Sequence, residues 1–129
     1  MKIIYQTEAG VAIITPTGEL SIEEVCAKDV PAGVPFQIVN GDEVPSDRTW
    51  RNAWKEDLTV DMPKAVNITK ERLRVERAPL LTALDVQYQR AQEDGRDTTI
   101  IISEKQRLRD VTKLADAATT LDELKALAV

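Results

Sequence analysis

Histidine is absent from the 129 residues. That removes Ser-His-Asp and Cys-His catalysis, histidine acid–base roles and histidine metal ligands. Cysteine occurs once, at Cys26, so neither an intramolecular disulfide nor a Cys-x-x-Cys zinc site can be built. The five glycines are never closer than eight positions apart, which excludes a glycine-rich phosphate loop. No apolar run is longer than Val11–Ile14, so no segment is expected to span a membrane. Met1-Lys2-Ile3-Ile4-Tyr5 turns polar after one basic residue and does not read as a signal peptide. What remains is 43% hydrophobic and 30% charged, the balance of a soluble chain forming one domain or two small units.

The two halves differ in composition. Residues 1–60 hold 5 Lys and Arg against 10 Asp and Glu, and residues 61–129 hold 12 of each, so the whole net charge of −5 lies in the first half. Four of the six prolines, four of the five glycines and four of the five aromatics also fall there. The second half is rich in Leu, Ala, Arg, Lys, Glu and Asp, a helix-forming set. The fold class expected is α+β. A small β-containing head over 1–60 precedes a helical hairpin with a short C-terminal helix over 61–129, the boundary falling near Thr59–Pro63.

Lys2–Gln6 and Val11–Thr15 are β-branched runs around Thr7-Glu8-Ala9-Gly10, a hairpin with a four-residue loop. A short helix starts at Leu20–Val25, with Ser21 as cap and Glu24 completing a capping box, and ends at Lys28–Pro31. Pro35–Val39 reads as a third strand closed by Asn40-Gly41. Ser46 and Asp47 then favour a helix over Ser46–Lys55, with Trp50, Ala53 and Trp54 on one face.

In the second half, Asp61 and Pro63 mark a helix start, and Val66, Thr69, Leu73, Leu80, Leu84, Tyr88 and Ala91 form one stripe. Pro79 removes the bond to the carbonyl of Val75 and is expected to kink or break that helix. Gly95 ends it. A second helix is expected from Thr98 to Ala117, with Ile101, Lys105, Leu108, Val111 and Ala115 inward. A third covers Leu121–Leu127, capped by Thr120 with Glu123 three residues on.

Chemistry-bearing groups are few. The carboxylate pairs Glu23-Glu24, Asp42-Glu43, Glu56-Asp57 and Glu93-Asp94 lie on polar faces or in loops, where two carboxylates do not acquire the unlike environments that acid–base catalysis needs. No calcium-loop spacing is present. Cys26, between Val25 and Ala27 with no histidine to activate it, reads as a buried structural thiol. In the basic runs Lys70–Arg77 and Lys105–Asp110, interleaved Glu71, Glu76, Glu104 and Asp110 cancel much of the charge, so nucleic acid is not an expected partner. No catalytic, metal or cofactor-binding residue is assigned.

The candidate partner-binding residues are aromatic and aliphatic. Trp50 and Trp54 serve either as core or as interface anchors, with Trp50 placed mainly in the core and Trp54 nearer the surface, beside the solvated Lys55-Glu56-Asp57. In Thr98–Ile102, three consecutive isoleucines cover too much of a helix for one packing partner, while as a strand they would meet helix again at Glu104. Either way Ile100 and Ile102 leave apolar surface for another chain.

Two stretches then look familiar. Lys2–Gln6, Lys28–Val39 and Val44–Trp54, the last with its Pro-Ser-Asp-Arg-Thr-aromatic-Arg core, make up the first. Arg74–Leu81, Leu84-Asp85-Val86, Arg90-Ala91 and Lys105–Asp110 make up the second. Together they resemble small proteins encoded beside the tail and tail-fibre genes of tailed bacteriophages and prophages. The second is similar to the C-terminal part of phage tail-assembly-chaperone-like proteins. Val111-Thr112-Lys113 departs from that pattern, where a proline often follows Arg-Asp, and so does Ile100–Ile102. The resemblance implies a non-enzymatic virion component, tail- or fibre-associated. Its partners would be other phage structural proteins and copies of itself, without nucleic acid, membrane, small molecule or cofactor. The alternative it implies is an assembly chaperone that does not stay in the particle.

Overall fold

The computed structural model describes residues 1–129 as an α+β protein made of two compact units, Met1–Ala65 and Val66–Val129. The division falls at Ala65, a few residues beyond the compositional boundary, because the first turn of the long helix belongs to the N-terminal unit.

In the first unit, β1 (Lys2–Thr7) pairs antiparallel with β2 (Gly10–Ile14) and with β3 (Phe36–Val39), giving the order β2-β1-β3. The hairpin is tighter than its four-residue expectation. Thr7 pairs with Gly10, leaving only Glu8 and Ala9 in the turn. Helix α1 (Ile22–Asp29) carries the expected capping box: Ser21 Oγ accepts from Glu24 N at 3.3 Å, and Ser21 N donates to Glu24 Oε2 at 2.8 Å. These bonds favour the charged carboxylate and hold Glu24 below its ordinary pKa, the Ser21 backbone N–H contributing most. One face of the sheet packs against α1 through Ile3, Val25, Cys26 and Val30, with Tyr5, Ile14, Ile22 and Val34 at the margin. Cys26 is a buried free thiol of this cluster.

Gln6 looks onto the other face, and its Nε2 donates to Trp54 O at 3.5 Å. Here a 3₁₀ turn, Arg51–Ala53, replaces the expected tryptophan helix over Ser46–Lys55. Local bonds on either side of it account for the difference. Asp47 Oδ1 accepts from Thr49 N at 3.0 Å and Thr49 Oγ1 at 2.7 Å, so the residue expected in a first helical turn closes an Asx turn instead. Downstream, Lys55 N donates to Thr59 O and Leu58 N to Lys55 O, both at 2.8 Å, with Leu58 at φ 64°. The chain therefore doubles back at once and bridges Trp54 to Val60.

Gly10 lets this turn approach. Its φ is +111°, and a Cβ there would lie 2.6 Å from the carbonyl oxygen of Arg51. Gly10→Ala is expected to cost about 1–3 kcal/mol through backbone strain and that overlap. Gly33→Ala, also at positive φ but with nothing within 4 Å, should cost less. Thermal melts followed by tryptophan fluorescence compare the two, and equal losses would remove the role given to the close approach.

In the second unit, α2 (Met62–Glu93) and α3 (Thr99–Ala117) run antiparallel, as the pairs Lys70–Asp116 and Lys105–Asp85, each 2.6 Å, require. Thr98–Ile102, open between helix and strand in the sequence, enters α3. Helix α2 is not broken at Pro79 but continues through it. The lost bond to Val75 is tolerated in a helix whose neighbouring turns are held by packing and by Arg77, whose Nη1 donates to the carbonyls of Leu108 (3.2 Å) and Arg109 (2.9 Å). Leu73, Leu108, Val111 and Ala115 are buried, with Thr69 and Ala91, whereas Leu80 of the expected stripe is exposed and Leu84 and Tyr88 are partly buried. Helix α4 (Leu121–Ala126) is capped by Thr120, whose Oγ1 accepts from Glu123 N at 3.1 Å. The Glu123 carboxylate reaches Thr119 N at 2.7 Å. Arg72 Nη2 donates to Leu124 O (3.1 Å) and Leu127 O (2.8 Å), satisfying carbonyls at the end of α4. No buried side-chain polar atom is left without a partner.

Candidate functional site

The strongest candidate is the apolar surface that α3 presents at its N-terminal end. Successive helical residues are 100° apart, so three isoleucines in a row cannot share a direction. Ile101 turns toward α2 and is partly buried, while its neighbours swing outward: Ile100 is 82% exposed and Ile102 50%. Leu114 on α3, and Val75, Leu80 and Val86 on α2, are exposed as well. The hairpin thus keeps one seam for itself and shows apolar side chains beyond it. Between the helices lies a groove lined by Leu80, Ala83, Leu84 and Leu108, with Gln87 and Glu104 at its polar edge. Glu104 is fixed by Arg107, whose Nε donates to Oε2 at 3.0 Å, and that bond holds its carboxyl below the ordinary carboxylate range.

The tryptophans are placed differently from expectation. Trp50 is 7% exposed and Trp54 only 1%, the largest fully buried side chain of the protein. Trp54 therefore sits in the interior and not near the surface, because the turn at Lys55–Thr59 folds the solvated run away and brings Val60 alongside it. The two tryptophans belong to the first unit and the two isoleucines to the second.

The carboxylate pairs are held by local structure. Glu24 completes the α1 cap, Glu43 accepts from Asn40 N at 2.6 Å, and Asp94 pairs with Arg96 at 3.1 Å. Asp57 accepts from Thr59, whose hydroxyl first and then amide hold it below its ordinary pKa. No three acidic or cysteine side chains converge as a metal site would need. No helix is long and apolar enough to cross a membrane. The basic runs divide their roles. Arg74 and Arg107 make ion pairs within their own helices, whereas Arg72, which also pairs with Glu76, and Arg77 reach carbonyls of other helices. Nothing in the sequence distinguishes the two kinds, since both stand in the same alternating charge pattern.

No family model, no curated protein and no solved structure matches the chain.

Proposed function

We propose that this protein is a non-catalytic structural component of a bacteriophage particle, at the tail or where fibres attach, acting through protein–protein contacts in a symmetric assembly. The phage assignment rests on the two familiar stretches of sequence. The observation that carries the contact role is the exposure of Ile100 and Ile102 at one end of the helical hairpin. Apolar side chains held on a helix can dock without the ordering cost a flexible loop would add. Other phage structural proteins and further copies of the chain are the proposed partners, and the virion is the proposed location.

Mass spectrometry of purified particles of the encoding phage tests this. The expected result is the protein at stoichiometric levels. The doubly substituted Ile100→Lys/Ile102→Lys chain should keep its stability within about 0.5 kcal/mol, since it alters exposed positions, yet be depleted from particles. Absence of the unsubstituted protein from intact virions would rule the reading out.

The groove along Leu80, Ala83, Leu84 and Leu108 favours a second reading, an assembly chaperone that holds a partner's amphipathic helix and is then released. Co-purification with a tail or fibre polypeptide from infected cells, together with absence from virions, would select it.

A further inference from the structure

Strand β3 lies at the edge of its sheet, paired with β1 on one side only. The register shows which of its main-chain groups are free. The two-residue turn closes on Thr7 and Gly10 as a mutually hydrogen-bonded pair, so the alternation of an antiparallel ladder turns the odd residues of β1 to β2 and the even ones to β3. Ile4 and Lys2 are thus bonded to Gln37 and Val39. The N–H and C=O groups of Phe36 and Ile38 point outward, and no other part of the chain bonds to them.

The side chains of these same two residues are exposed, Phe36 at 45% and Ile38 at 41%. With Cys26, Ala27 and Glu23 of α1 they line an apolar hollow running beside the edge. An incoming strand would find main-chain partners at the edge and a receptacle for alternate side chains, the two requirements of strand addition. Edges are commonly blunted by lysine, proline or a covering loop. Phe36–Val39 itself contains neither lysine nor proline, Pro35 lying immediately before the strand.

Charge selects the occupant. Glu23 stands on the α1 side of β3, and Glu56 and Asp57 on the other beside Lys55, while Lys2 of β1 pairs with Val39 at the far end of the strand. The surrounding half of the chain carries the entire net charge of −5. Pairing β3 with β3 of a second copy would set this field against its equal. We propose that the outer edge of β3 binds an extended segment of a partner protein, with apolar residues alternating with Lys or Arg, as a fourth strand. This inference stands on the N-terminal unit alone and does not depend on the phage reading.

The probe is a fluorescein-labelled octapeptide of alternating Lys and Val, titrated into the full chain and followed by anisotropy. Its Glu-Val counterpart tests charge, and a peptide of the same composition with its valines in one block tests alternation. Saturable binding of the alternating Lys-Val peptide only, with the Phe36 and Ile38 amides becoming protected from hydrogen exchange, is expected. Ile38→Pro, which deletes an outward N–H, should weaken binding by about tenfold. Should that variant misfold, Glu23→Lys at an exposed helical position should weaken it several-fold while leaving circular dichroism unchanged. Equal binding of the blocked peptide, or protection elsewhere in the chain, would overturn the inference. A wild-type dimer that becomes monomeric on Glu23→Lys or Ile38→Pro would overturn it in favour of a second copy.

Discussion

Trp54→Ala is expected to cost the N-terminal unit about 3–5 kcal/mol, the range for removing a large aromatic from a packed interior. Trp54 is 1% exposed, and its main chain is tied in by the bridge to Val60 and by the bond from Gln6. Truncation leaves a void that the surrounding backbone cannot close, because the turn above it is pinned by the Asp57–Thr59 and Lys55–Thr59 bonds. For a unit of this size the loss corresponds to a fall in melting temperature of more than about 10 °C. Trp50 remains as the fluorescent reporter of the same unit. Trp50→Ala should also destabilise, by a similar or smaller amount, since Trp50 keeps 7% of its surface. A Trp54→Ala protein that melts with the wild type yet fails to assemble would restore Trp54 to an interface.

Leu108→Asp should unfold the helical unit. Leu108 is 1% exposed, and a carboxylate in its place would be buried facing α2. Arg77 is near, but its Nη1 is engaged by the carbonyls of Leu108 and Arg109. An unpaired buried charge costs several kcal/mol on top of the lost packing, about as much as the whole stability of a small unit. Leu84→Asp on the facing helix should be milder, because Leu84 is only partly buried and borders the open groove. Most of the helix lies in α2, α3 and α4 and both tryptophans lie in the first unit, so two signals separate the effects. Leu108→Asp should collapse the helical circular dichroism signal. Full retention of that signal would contradict the hairpin packing.

The elements legible in the sequence are those specified by short-range chemistry. The α1 cap needs only Ser21 and Glu24 three residues apart, and the α4 cap only Thr120 and the residues of its first turn. The helical hairpin follows from a stripe of recurring apolar residues ended by Gly95, whose φ of 65° suits a helix stop. In each case a residue's neighbours within one or two turns decide its conformation.

What the tertiary structure decided are competitions between local signals and distant contacts. Ser46 to Trp54 carries a helix pattern, yet the Asx turn at Asp47 and the burial of both tryptophans draw it into a 3₁₀ turn over a glycine thirty-six residues earlier than Ser46. Pro79 is expected to kink or break α2 on local grounds, and the helix runs on through it with α3 against it and Arg77 reaching across. The place of β3 at the sheet edge could not be read from Phe36–Val39, since any strand of that composition fits either side of β1. Composition and spacing determine which pieces form and where they are capped. Burial, which depends on residues far apart in the chain, determines which apolar side chains become core and which remain exposed.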